Sequence, residues 1–72
     1  INDYEKAEGF LRRAIQLMPD DPIVNDHYGD ILWKLNRKIQ ARYFWENVLK
    51  MKDADEDMIK SIDIKMAEGL KS

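Results

Sequence analysis

Apolar residues recur along this chain at three- and four-residue intervals in four stretches, each bounded by residues that start or stop a helix. In the first, Tyr4, Ala7, Leu11, Ala14, Ile15 and Met18 form one stripe. Phe10 and Leu17 widen it, which predicts contacts on more than one side. Asn2 and Glu5 have the spacing of a capping box and Pro19 stops the segment, so a helix is predicted over about 3–18. Asp21 then caps a second helix, over about 22–35, with Pro22 at its first position, where the missing N–H is not needed. At about 100° per residue, Ile23, Val24, His27, Tyr28, Ile31, Leu32 and Leu35 share a broad apolar face, and Asp26, Asp30 and Trp33 fall opposite.

Gly29 lies inside this second helix, where glycine costs about 1 kcal/mol relative to alanine. Its expected purpose is to let another helix approach closely beside Leu32. Asn36 reads as a left-handed terminator, and a third helix is predicted over about 38–52. Its stripe of Ala41, Phe44, Trp45, Val48, Leu49 and Met51 is as wide as the first one. The turn Asp53-Ala54-Asp55-Glu56 offers two capping residues. A fourth helix, over about 56–70, turns Met58, Ile59, Ile62, Met66 and Leu70 inward, with Gly69 near its end. Connections this short predict antiparallel packing of consecutive helices.

The chain also aligns with itself. A shift of 34 residues brings Ala7 onto Ala41, Leu11 onto Trp45, Ala14 onto Val48, Ile15 onto Leu49 and Leu17 onto Met51. It continues with Asp21 on Asp55, Val24 on Met58, Tyr28 on Ile62 and Leu32 on Met66. Two helices per period of this length, with Tyr28-Gly29 and Leu32 on the first and Ala41, Trp45, Val48 and Leu49 on the second, resemble the tetratricopeptide repeat. The preceding half matches through Tyr4, Ala7, Leu11, Ala14, Ile15, Leu17 and Pro19. Asn25 stands where the family often has tryptophan, Val48 replaces a small residue, Asp53 the closing proline and Asn36 a turn glycine. Asp63 and Lys65 fall on the positions of Gly29 and Ile31, so no second helix is expected to pack there.

The resemblance implies an all-α fold: antiparallel helix hairpins of an α-solenoid, with residues 1–20 as the second half of a repeat, 21–54 as one complete repeat and 55–72 as a C-terminal capping helix. Opening on Ile1 without methionine, the chain reads as an excised piece, and an acid in place of the close-packing glycine on the fourth helix makes it the C-terminal end of a longer array. Such arrays usually need about three repeats for stability. The first helix is therefore expected to present an unsatisfied edge that favours self-association.

Composition narrows the function classes. The 72 residues suffice for one small domain, with no cysteine to staple it by disulfide or thiolate metal site. Twelve basic and 14 acidic residues are mixed to a net charge of −2, which gives no footprint for a nucleic-acid backbone. The longest apolar runs, such as Tyr43-Phe44-Trp45, fall far short of the roughly 20 residues of a membrane span. Phosphate loops, nucleophile–base pairs and metal-spaced ligands are absent from the sequence, so neither enzymatic activity nor a cofactor is expected. His27 is expected to be a half-buried packing residue, since its helical neighbours offer no convincing second metal ligand.

Asp26, Asp30, Trp33 and Lys34 form the candidate partner-binding group. The first three share one side of the second helix and Lys34 borders them. The resemblance places this side in a concave groove where extended peptides or helices dock. An indole flanked by two carboxylates suits a basic protein or peptide partner through charge attraction and cation–π contact. The family's clamp of cations and amides for a terminal carboxylate is not matched. Weighed against this reading is the plain one, in which Trp33 packs on the upstream helix and the aspartates are solvated charges. At the level of function the expectation is a protein–protein interaction scaffold. Its alternative is a structural end-cap or self-association module with no ligand of its own.

Overall fold

A computed structural model describes residues 3–70, and its helices are α1 (Tyr4–Leu17), α2 (Pro22–Lys34), α3 (Lys38–Leu49) and α4 (Glu56–Glu68). The fold is all-α, as expected. Local chemistry sets most of the boundaries. Asp21 Oδ1 accepts the Val24 N–H at 3.0 Å and Pro22 opens α2. Asp55 Oδ1 likewise accepts the Met58 N–H at 2.8 Å to start α4. Asn36 takes φ 63°, and the Arg37 and Asn36 N–H groups donate back to the Leu32 and Trp33 carbonyls at 2.8 and 2.9 Å. That double return is the Schellman closure, and it ends α2 where a left-handed asparagine was anticipated. The capping box assigned to Asn2 and Glu5 lies outside the described residues on the Asn2 side.

α3 stops at Leu49 instead of near Lys52. The Lys50 and Met51 N–H groups reach the Asn47 and Val48 carbonyls, three residues back, at 3.1 and 3.0 Å. This tightening uses up the last carbonyls and releases the chain into the turn. Asn25 was marked in the sequence only as a departure from a family pattern. It is 2 % exposed, and its Nδ2 donates to the carbonyls of Pro19 and Asp21 at 3.0 and 2.8 Å, which locks the α1–α2 turn.

Consecutive helices run antiparallel, as the pairings show. Glu8 meets Tyr28 while Tyr4 meets Lys34, and Phe44 meets Tyr28 while Ala41 packs with Leu32. Two clusters make the core: Tyr28, Leu32 and Ala41, then Trp45, Val48 and Ile62. Trp33 packs on both and joins them. Between α2 and α3 the approach is as close as Gly29 suggested. A Cβ there would run into the five-membered ring of Trp45 and come within 3.1 Å of the Ala41 carbonyl. At the end of α4, Gly69 adopts φ 76° and ψ −175°, a region essentially reserved for glycine, and lies against the Trp33 indole.

Three expectations about the apolar faces are corrected. Of the α1 stripe, Ala7, Leu11, Ala14 and Ile15 are half-buried, while Phe10 is 77 % and Leu17 73 % exposed because no element among the described residues lies on that side. On α2, Ile23 and His27 are exposed, so His27 is not a packing residue. Trp33, expected opposite the core, is instead drawn inward, because α4 supplies a wall on its side. Among the described residues no helix is long and apolar enough to cross a membrane.

Candidate functional site

Asp26, Asp30 and Trp33 do share one side of α2, as three- and four-residue spacing requires. Two carboxylates one turn apart repel each other unless a cation lies between them. That cation is Lys65 of α4. Its Nζ donates to Asp26 Oδ1 at 2.7 Å and to Asp30 Oδ1 and Oδ2 at 2.9 and 3.2 Å. Asp30 Oδ1 also accepts the Trp45 Nε1–H at 3.0 Å. The indole that packs under Gly29 is therefore tied to the same carboxylate, and α2, α3 and α4 meet at one point.

Aromatic stacking backs this polar knot. The Trp33 and Trp45 rings stack with centroids 5.4 Å apart at 27°. The Lys65 ammonium lies 5.8 Å from the Trp45 ring, and Lys38 Nζ lies 4.9 Å from the Trp33 ring on its outer side. Lys34 does not join the group. It is exposed and its Nζ stands 5.3 Å from the Tyr4 ring, toward α1. Trp33 thus packs, as in the plain reading, but against downstream helices, and the aspartates are paired instead of merely solvated.

Chemically the arrangement is a grip for a primary ammonium: two carboxylates on one side, a tryptophan edge and face behind. Its occupant is part of the chain. Burial by itself would lower the Lys65 pKa, but the hydrogen bonds to Asp26 and Asp30 and their negative charge outweigh it, and the ammonium is held above the ordinary lysine value. A second buried contact lies between α1 and α2, where Tyr28 OH donates to Glu8 Oε2 at 2.9 Å and Arg12 Nη2 stands 3.3 Å from Glu8 Oε1. Burial, then the hydrogen bond to Glu8 and its charge, push the Tyr28 phenol up to about 12.

Both groups prefer their protonated form in the folded chain. Their stabilising contributions are fully present below the unfolded values, about 10 for tyrosine and 10.4 for lysine, and are lost as pH rises through the raised folded values. The urea midpoint is therefore expected to hold from neutrality to about pH 9.5 and to fall above about pH 10. Lys65→Met should lower the midpoint at pH 7 and flatten the alkaline decline. An equally steep decline in Lys65→Met and Tyr28→Phe would remove these two groups as its cause.

Sequence reasoning missed Lys65, Trp45 Nε1–H and Glu8 as partners. One signal was present: under the 34-residue shift Lys65 falls on Ile31, a half-buried position of α2. A lysine on an inward-facing position needs a carboxylate. Among the described residues no group of three His, Cys, Asp or Glu side chains could hold a metal ion. Compared with protein-family models, with curated proteins and with solved structures, the chain gives no match.

Proposed function

We propose that the chain is a protein–protein interaction module of the tetratricopeptide type, serving as the closing end of a helical array and docking through the open side of α1. The observation that carries this reading is the contrast between its two ends. α4 seals the acidic side of α2 with Lys65 and with Gly69 against Trp33. α1 leaves Phe10 and Leu17 uncovered on one side, around an apolar groove of about 390 Å³ that also takes in Ala14 and Met18. Large exposed apolar side chains gathered on one helix mark an interaction surface more often than scattered ones do.

The concave-groove reading, in which α2 takes a cationic peptide, ranks second. A visiting ammonium would have to expel Lys65 from both carboxylates, leaving that lysine unpaired. The prebuilt ammonium site speaks for it, and its present occupant speaks against it.

Without a neighbouring helix, the α1 face is expected to drive self-association. Sedimentation velocity at rising concentration should show dimers or larger species for the chain. Phe10→Glu with Leu17→Glu should return it to a monomer of unchanged helicity. A strictly monomeric wild-type chain at the highest attainable concentration would sink the reading.

A further inference from the structure

On the other side of α1, a cleft of about 640 Å³ opens between α1 and α3, within the size range of ligand sites. Phe44, Leu32 and the Tyr28 ring contribute to its lining. Ile39 and Tyr43, one turn apart on α3, add apolar surface at 87 % and 60 % exposure. Arg12 and Arg37 also line it, and Lys38 adjoins Arg37 in a neighbouring hollow. Glu8, the one carboxylate lining the cleft among the described residues, is already answered by Arg12 and the Tyr28 hydroxyl.

Among the described residues Arg37 and Lys38 form no ion pair. They sit at the N-cap and first position of α3, which has no side-chain cap bond and no acid in its first turn. Cations at that end of a helix oppose its dipole, a cost that Lys38 offsets in part through the Trp33 ring 4.9 Å from its Nζ. Further along the helix Arg42 lies outside the cleft, its Nη2 held by the Met66 carbonyl of α4 at 2.7 Å beside Glu46. In a chain of net charge −2, Arg12, Arg37 and the adjoining Lys38 make one end of the hollow basic.

We propose that this cleft docks an acidic segment of a partner protein, with an apolar side chain seated between Ile39, Tyr43 and Phe44 and its carboxylates on Arg37 and Lys38. The surface goes beyond the α1 edge proposed above. At about 100° per residue, Glu8 and Arg12 point away from Phe10 and Leu17. A concave apolar hollow with cations at one end favours such a segment over a nucleic-acid backbone, which calls for an extended basic stripe.

The probe is a fluorescein-labelled peptide alternating aspartate or glutamate with leucine or phenylalanine, followed by anisotropy on the chain. Saturable binding is expected, weaker at higher salt and reduced about tenfold or more by Arg37→Glu with Lys38→Glu, and by several fold in Tyr43→Ala. Arg13→Glu, on the far side of α1, should leave it unchanged. Glutamates at the start of α3 suit its dipole, so circular dichroism should show the double variant folded and its loss of binding specific. Absence of binding, or equal binding by the double variant or by a peptide with lysine for each acid, overturns the proposal. So does tighter binding of a single-stranded oligonucleotide or of phosphatidylserine vesicles. Salt-dependent self-association abolished by the same double variant would assign the cleft to a second copy of the chain, and overturns it too.

Discussion

Trp45→Ala is expected to abolish cooperative folding at room temperature. The Trp45 side chain is fully buried, packs in the cluster with Val48 and Ile62, stacks on Trp33 and donates its Nε1–H to Asp30. Truncating a buried tryptophan costs about 3–5 kcal/mol. A single core in a domain this small supplies about the same, roughly 3–5 kcal/mol in all. The loss therefore matches the whole stability of the chain. Far-UV circular dichroism should show low helicity and no sigmoidal melt. Trp45→Phe separates the contributions: it keeps most of the ring but leaves Asp30 with Lys65 alone, so a cooperative yet lower melt is expected. A Trp45→Ala chain melting within a few degrees of wild type would mean that α3 is not held through this indole.

Gly29→Ala is the second large effect, and its sign is the informative part. At an open helical position the change would stabilise by about 1 kcal/mol. Here the new methyl meets the ring of Trp45, which is walled in and cannot swing away, and the backbone carbonyl of Ala41 at 3.1 Å. Overpacking of this kind costs about 1–3 kcal/mol and occasionally more. Displacing the indole also lengthens its bond to Asp30, which pushes the effect to the upper end of that range. With about 4–8 °C per kcal/mol in a domain of this length, a fall in Tm of roughly 10 °C or more is expected. A rise in Tm would show that α2 and α3 stand further apart than the structure places them.

The helices were legible because their punctuation is local. Asp21-Pro22, Asn36 and Asp55 act on backbone groups within a few residues, so their chemistry can be read without the rest of the fold. Gly29 was legible for a related reason, since an interior helical glycine beside Tyr28 and Leu32 signals a neighbour. The exposure of Phe10 and Leu17 was half legible. Their stripe announced a wide apolar face, and an unsatisfied edge on α1 was expected, but which part of the stripe stays bare depends on where α2 lies.

At the candidate site the division is sharper. Helical spacing alone put Asp26, Asp30 and Trp33 on one side of α2, and that grouping needs nothing beyond the 3.6-residue turn. What they face was not readable. Lys65 lies 39 and 35 residues along the chain from the two aspartates, and Trp45 lies 15 from Asp30. The sequence by itself determined which side chains share a helix face, because that follows from a local period. Only the tertiary structure decided that this acidic face is covered and which part of the α1 stripe stays bare. Partnering across helices depends on how whole elements are placed, which the sum of burial, close approach and charge pairing settles together.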